Sequence, residues 1–168
     1  MNAYKLMFII FSVAIVIFSI LTVTSRKILR AAVYLLFVLI STSGIYFWLN
    51  YQFMAAVQLT LYAGGIVVLI IFSILLTHQI DHKFDVPSWK KVLPAALASL
   101  SGMLLTLYAI LTYNFVPTDK APVAVDMKVI GNQLMGIGEN GYALPFEVIS
   151  ILLLAAMIGA IIIAKKGK

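Results

Sequence analysis

The sequence predicts an all-α membrane protein, a bundle of five transmembrane helices. Of its 168 residues, 63% are hydrophobic and 11% are charged, and the mean hydropathy is +1.08. A soluble domain of this length could not bury so much apolar side chain, so most of the chain must have lipid as its solvent. The apolar residues also form five stretches, and each is long enough to cross about 30 Å of hydrocarbon.

The five predicted spans form one membrane domain, because no Ser-rich or Pro-rich linker divides the chain. They cover residues 6–23, 31–49, 54–77, 92–114 and 142–164 of a domain that runs from 1 to 168. The first span follows Lys5 as a signal peptide would, but Val23-Thr24-Ser25-Arg26 offers no clear cleavage site, so we expect this span to be retained.

Short connections make spans one to three an antiparallel series. Residues 115–141 should form a long outer loop, with a short interfacial helix near 126–135.

The basic residues predict the orientation, because cytoplasmic loops carry the excess of Lys and Arg. One side of the membrane collects nine of them: Arg26, Lys27, Arg30, Lys83, Lys90, Lys91, Lys165, Lys166 and Lys168. The other side collects three: Lys5, Lys120 and Lys128. The N-terminus is therefore expected outside and the C-terminus in the cytoplasm. The net charge of +6 reflects this topology, since the charges lie at the ends of apolar runs, and no nucleic-acid partner is expected.

The sequence lacks the common catalytic templates. It has no cysteine, which excludes disulfides, thiolate metal sites, cysteine-ligated iron–sulfur clusters and thiol catalysis. It also has no phosphate-binding lysine loop, no dinucleotide fingerprint and no nucleophile elbow. His78 and His82 stand four residues apart beside Asp81 and Asp85, but without a third strong ligand we predict a solvated loop and no metal. We expect no catalytic residue and no cofactor in this chain.

The third span has the strongest local signal. Gly64 and Gly65 lie adjacent at membrane depth, and each weakens a helix by about 1 kcal/mol relative to alanine. Gln58, Thr60 and Tyr62 add polar groups that can satisfy a released backbone carbonyl. The combination permits a kink or a π-bulge, and hence a helix that rewinds during a working cycle. Periodicity alone favours the alternative, a small-residue patch for close helix packing.

Span five contains two further candidates. Glu147 is the only ionisable residue inside a predicted span, and intramembrane acids are functional candidates by default. It lies about 7 Å from the start of the span at helical rise, so an interfacial, capping or subunit-contact role is favoured over a proton relay. Small residues at a spacing of four predict close helix contact, inside the chain or with a partner. They are Ala155, Ala156, Gly159 and Ala160.

Three stretches resemble one known family. They are Arg30-Ala31-Ala32-Val33-Tyr34-Leu35, then Gln58-Leu59-Thr60-Leu61-Tyr62-Ala63-Gly64-Gly65-Ile66-Val67-Val68-Leu69, and then Ile130-Gly131-Asn132-Gln133-Leu134-Met135 with Leu144-Pro145-Phe146-Glu147-Val148-Ile149-Ser150-Ile151-Leu152-Leu153-Leu154. Over nearly the whole chain the sequence is similar to the J subunit, also called chain 6, of the proton-pumping NADH-quinone oxidoreductase, respiratory complex I.

The resemblance implies a non-catalytic membrane-arm subunit that couples quinone reduction to proton pumping. It implies a π-bulge around Tyr62, Ala63, Gly64 and Gly65 that forms and disappears and so gates a water chain. Gln58, Thr60 and Glu147 would then be polar groups of that chain. The implied partners are lipid and the A, H, K and antiporter-like N types of membrane-arm subunit, with FMN, iron–sulfur clusters and quinone held by other subunits.

Two departures from the family limit what is carried over. Some relatives have glutamate where this chain has Gln58, so a titrating group is absent there. Many have alanine where Gly65 stands, which makes this helix softer. Two other functions stay open: the same role in a ferredoxin-dependent or hydrogenase-type complex, and a stand-alone channel or transporter. The absence of a repeat pair disfavours the transporter. The Lys-rich C-terminus and the lack of a transit peptide favour a multi-pass protein of a bacterial inner membrane.

Overall fold

The computed structural model describes residues 3–77, 83, 85, 87–114, 126–138 and 141–165. Its elements in this part of the chain are helical. In chain order they are α1 (Ala3–Thr24), α2 (Ile28–Trp48), α3 (Gln52–Val57), a π-helical segment (Gln58–Val67), α4 (Val68–Leu76), α5 (Trp89–Thr112), α6 (Met127–Met135) and α7 (Ala143–Lys165). Because α3, the π segment and α4 follow one another without a break, they form the single third span.

The prediction of an all-α protein with five spans is confirmed. Five helices are long and apolar enough to cross a membrane: Ala3–Thr24, Ile28–Trp48, Gln52–Leu76, Trp89–Thr112 and Ala143–Lys165. The largest differences from the predicted bounds are at helix starts. The fourth span, for example, starts at Trp89 rather than at residue 92, since Ser88 is its N-cap and the carbonyl of Ser88 accepts from the amides of Lys91 and Val92. The short helix expected near 126–135 is also present, as α6.

Helices α1 and α2 pack along each other as an antiparallel pair. Gly44 of α2 permits this approach, because a Cβ on it would lie only 2.5 to 2.8 Å from ring atoms of Phe11 on α1. Near the other end of the pair, the rings of Phe18 and Phe37 stack with centroids 4.9 Å apart. Aromatic pairs in this geometry add to the stability that burial alone provides.

A tight turn reverses the chain between α2 and the third span. Leu49 is the C-cap of α2, and Asn50 adopts a φ of 63°, a left-handed conformation that asparagine tolerates better than most residues. The third span then returns along α2, which contacts both the π segment and α4. Helix α2 therefore has α1 and the third span as neighbours, and the buried residues of the described chain, such as Ser43 and Val67, lie on α2 and the third span.

The chain divides into two compact units, one containing α1, α2, most of the third span and α5, the other containing α6 and α7. The prediction of a single membrane domain stays a prediction. Helix α5 has Pro94 in its interior and no buried residue. Among the described residues, it has no extended contact with another helix. Its exposed apolar surface is suited to contact with lipid or with other helices.

In the second unit, backbone hydrogen bonds link the end of α6 to the start of α7. Asp126 is the N-cap of α6, and its carboxylate Oδ1 accepts from the amide of Met127 at 2.7 Å. The amide of Tyr142 donates to the carbonyl of Gln133 at 2.9 Å, and that of Ala143 donates to the carbonyl of Gly136 at 3.2 Å. These two bonds fix the start of α7 against the end of α6.

Candidate functional site: the π segment of the third span

The centre of the third span is a π-helix of ten residues, Gln58–Val67. Its flanking residues keep right-handed helical dihedral angles, φ −60° and ψ −45° at Val57 and φ −64° and ψ −41° at Val68. The span is therefore continuous, and the change in winding occurs without a break in the helix. π-Helical geometry is rare and is found mostly as single turns, often at functional sites. A segment of ten residues is an unusually long departure from α geometry.

The segment includes the four residues that the resemblance implies for the bulge, Tyr62, Ala63, Gly64 and Gly65, and extends beyond them in both directions. It starts at Gln58 and ends at Val67, so the polar pair Gln58 and Thr60 belongs to it as well. The π segment is thus longer than the bulge that the resemblance implies.

The two glycines of the segment differ in how tightly the backbone surrounds them. A Cβ on Gly64 would lie 3.1 Å from the carbonyl oxygen of Leu59, closer than almost all real Cβ contacts. A Cβ on Gly65 would lie 3.5 Å from the carbonyl oxygen of Thr60, an ordinary contact distance. In both cases the facing oxygen belongs to the residue five positions earlier, as π geometry places it. Gly64 is therefore the tighter of the two positions, where a Cβ requires the backbone to shift by a few tenths of an ångström.

One face of the segment packs in the protein and the other is open. Ala63 is 4% exposed and Val67 is 2% exposed, and the segment packs on α2. Tyr62 is 48% exposed, Thr60 is exposed and Gln58 is half-buried. The hydroxyl-bearing side chains of the segment therefore lie on the surface that lipid, water or another chain would cover.

A buried hydrogen bond joins α2 to the third span just before the π segment. The Oγ of Ser43 donates to the carbonyl oxygen of Ala55 at 2.9 Å, and both residues are enclosed, at 1% and 0% exposure. Hydrogen bonds between helices at membrane depth contribute about 0.6 kcal/mol on average. No motif in the sequence marks Ser43 as a site residue. The signal that could have found it is a serine in the small-residue run Ser41-Thr42-Ser43-Gly44 inside an apolar span.

The other predicted site residues lie on α7. Glu147 is its fifth residue and is exposed. Ala155, Ala156 and Ala160 are exposed and Gly159 is half-buried. These residues belong to the second compact unit, whereas the π segment belongs to the first. A Cβ on Gly159 would meet nothing within 4 Å, so within this chain no described atom uses the space that Gly159 provides.

The histidine cluster lies mostly outside the described residues, since only Asp85 of its four members is among them. In the part of the chain that the structure describes, no group of three or more His, Cys, Asp or Glu side chains could hold a metal ion.

Most of the chain matches one known protein family. Residues 18–163 match the family described as NADH-ubiquinone/plastoquinone oxidoreductase chain 6. The chain belongs to this family. The matched region includes the whole π segment and Glu147, so both lie in the part of the chain that the chain 6 family shares.

Several chain 6 relatives are similar over most of this chain. It is 34% identical to the chloroplastic NAD(P)H-quinone oxidoreductase subunit 6 of Mesostigma viride over 77% of its own length and 67% of that protein. It is 35% identical to NAD(P)H-quinone oxidoreductase chain 6 of a Synechocystis species, again over 77% of its length but over only 64% of that protein. The chloroplastic subunit 6 of Zygnema circumcarinatum is 30% identical over 97% of this chain and 93% of its own.

Proposed function

We propose that this chain is a non-catalytic membrane-arm subunit of a proton-translocating NADH:quinone oxidoreductase, in which the third span couples quinone reduction to proton pumping. The observation that supports this most directly is the ten-residue π segment, Gln58–Val67. It lies in the region matched by the chain 6 family, whose description names quinone oxidoreductases. A subunit without a catalytic template of its own can still control pumping if one of its helices has two forms.

The proposed gate is an exchange between π and α winding at Tyr62 to Gly65. The two forms differ in how the open face, with Gln58, Thr60 and Tyr62, is presented to neighbouring water. Gln58 and Thr60 hydrogen-bond water in the conducting form, because neither side chain titrates. A difference of a few kcal/mol in how the rest of the complex interacts with the two forms is enough to move such an equilibrium. Redox energy at the quinone site supplies that difference.

The proposed neighbours are the A, H and K types of membrane-arm subunit and the nearest antiporter-like N subunit. Exposed apolar residues on α5 and α7, such as Leu105 at 69% and Ile163 at 77%, support the proposal of extensive partner and lipid contact. The small residues of α7 are suited to close helix approach, and Glu147 is proposed as a secondary polar site of the water chain or of a subunit contact.

The decisive experiment compares alanine at the two glycines of the gate in the assembled complex. Alanine raises helix propensity at both positions, and the added Cβ meets a backbone oxygen at 3.1 Å in Gly64→Ala but at 3.5 Å in Gly65→Ala. We expect Gly64→Ala to lower the number of protons pumped per quinone reduced, and Gly64→Val to abolish most of the pumping. Gly65→Ala should pump nearly as well as the unmodified protein.

Electron transfer from the peripheral arm to an artificial acceptor is the control, because it does not involve the third span. It should be unchanged in all three variants, and equal amounts of assembled complex should be recovered. Normal pumping in an assembled Gly64→Val complex would show that the π segment is not a gate.

The proposal also specifies the electron donor, NADH. The relatives are named NAD(P)H-quinone oxidoreductases and come from a cyanobacterium and from chloroplasts, so a related complex with another donor is the second candidate. Peripheral subunits select the donor, and co-purification with a tagged copy of this chain identifies them. Recovery of a nucleotide-binding flavoprotein from a bacterial inner-membrane fraction would support the first candidate, and recovery of a ferredoxin-binding or hydrogenase subunit would support the second.

A further inference from the structure

The short helix α6 has an apolar side and a polar side. Helical periodicity places four of its apolar residues on one side, which we call the α6 stripe: Met127, Ile130, Leu134 and Met135. The other side carries one apolar residue among three polar ones: Lys128, Val129, Asn132 and Gln133. This division is typical of a helix that lies between an apolar and an aqueous environment.

Most of the α6 stripe is open in the described part of the chain. Met127 is 59% exposed and Met135 is 72% exposed, whereas Ile130 is half-buried. Just beyond the helix, Ile137 is 94% exposed. Because exposing apolar side chains to water is unfavourable, the stripe is suited to an apolar environment that α7 alone does not provide.

The hydrogen bonds between α6 and α7 determine where this stripe lies. Helix α7 has 23 residues and is therefore about 34 Å long, only slightly longer than the roughly 30 Å of hydrocarbon that it crosses. Its first residue, Ala143, consequently lies at a membrane surface. The amides of Tyr142 and Ala143 donate to the carbonyls of Gln133 and Gly136, at 2.9 and 3.2 Å. These bonds hold the end of α6 at the same membrane surface.

We propose that α6 lies flat at this membrane surface, with the α6 stripe inserted among the lipids and with Asn132 and Gln133 facing water. Amphipathic helices at this depth bury their apolar side at the boundary between headgroups and acyl chains. Lys128 lies at the edge of the stripe, where its stem can cover apolar surface while its ammonium group stays hydrated.

In this position α6 is a surface anchor for the last span. It fixes the level at which α7 enters the membrane, and hence the depth of Glu147, the fifth residue of α7. The anchor does not depend on the proposed gate in the third span, so either proposal can fail without the other.

Two chemical probes, applied to the assembled complex in its native membrane, distinguish lipid from water around α6. Phospholipids with a photoactivatable group near the glycerol end of an acyl chain report contact with lipid, and a water-soluble oxidant reports solvent-exposed methionines. Mass spectrometry maps both products on this chain. We expect lipid adducts at Met127, Leu134 and Met135. Both methionines should be oxidised much more slowly than in the unfolded chain.

A matched pair of variants adds the same side chain to opposite sides of α6. Leu134→Lys places a charge in the stripe, so most of the lipid adducts should be lost and Met127 and Met135 should be oxidised faster. Asn132→Lys places the charge on the side that faces water and should change neither result. Equal recovery of assembled complex from the two variants is the control.

Three results would overturn the proposal. Rapid oxidation of Met127 and Met135 without lipid adducts in the unmodified protein would place α6 in water. Protection of the stripe from both probes would show that another protein chain covers it. Identical behaviour of the two lysine variants would show that the stripe does not hold α6 at the membrane.

Discussion

At the scale of single residues, the glycines of this chain differ in how much space surrounds them, a difference that composition does not reveal. Gly44 and Gly64 each occupy a position where a Cβ would crowd a neighbour, whereas a Cβ on Gly102 would meet nothing within 4 Å. The sequence drew attention to Gly64, because two adjacent glycines at membrane depth are conspicuous. It did not predict that of Gly44, since the crowding atom belongs to Phe11, a residue of another helix.

The contact between Gly44 and Phe11 leads to a prediction of compensation. Gly44→Ala should destabilise the α1–α2 pair by about 1 to 3 kcal/mol, because overpacking forces side chains or backbone to move. Phe11→Leu in the same chain should recover most of that loss. Thermal denaturation of the purified protein in detergent measures both effects, with Gly102→Ala as the matched control. An additive loss in the double variant would contradict this view of the packing.

The hydrogen bond from Ser43 to Ala55 allows a prediction about the π segment. Ser43→Ala should lower the free energy of unfolding by about 0.5 to 1.5 kcal/mol. It should also make the first half of the third span more mobile. Amide hydrogen exchange at Leu59 to Tyr62 should then become faster, because the segment loses its fixed point on α2. Thr42→Ala removes a hydroxyl that bonds only within α2, to the carbonyl of Val38, and should leave that exchange unchanged. Identical effects of the two variants would show that Ser43 has no special role.

At the scale of elements, the existence of each described helix could be predicted, whereas the extent of the π winding in the third span could not. Length and hydropathy determine whether a stretch crosses the membrane, and the predicted spans match the observed ones for that reason. The choice between α and π winding at Gln58–Val67 depends on small differences between hydrogen-bond patterns and on the packing of Ala63 and Val67 on α2. Those contacts come from residues distant in sequence, so local pattern shows only that the helix is easy to distort.

The turn between α6 and α7 depends on one further glycine. A Cβ on Gly141 would overlap the backbone of Gly136, whereas a Cβ on Gly138 would meet nothing within 4 Å. Gly141→Ala should therefore break the bonds that the amides of Tyr142 and Ala143 make to the end of α6, and those two amides should exchange faster with solvent. Gly138→Ala should leave their exchange rates unaltered. Unchanged protection of both amides in Gly141→Ala would mean that the turn can relax without losing its bonds.

At the scale of the whole molecule, few of the described side chains are buried. Helices α1, α5 and α7 contain no buried residue, and each carries the apolar surface that a membrane span needs. The sequence predicted the lipid environment from composition. It could not predict which surfaces face partners, because an apolar residue beside lipid and one beside another helix have the same hydropathy.

The predicted orientation can be tested because the chain has no cysteine, so a single introduced thiol is unique. In sealed membrane vesicles with their outer face exposed, Lys5→Cys should react with a membrane-impermeant maleimide, and Lys165→Cys should react only after the vesicles are permeabilised. Excess of Lys and Arg on the cytoplasmic side is the physical reason. The reverse labelling pattern would invert the direction of every span.

The hydrogen bond between Ser43 and Ala55 also determines which part of the third span moves when the winding changes. Because α3 is held on α2, a conversion of the π segment to α geometry has to turn the part of the span that follows it, which is α4. Ile70 and Ile74 of α4 line an apolar groove of about 400 Å³ beside α2, so the proposed exchange between π and α winding would reshape that groove. By thermodynamic reciprocity, any molecule that fits one shape of the groove better also favours the corresponding form of the helix. The composition of the surrounding bilayer would then be an effector of the third span.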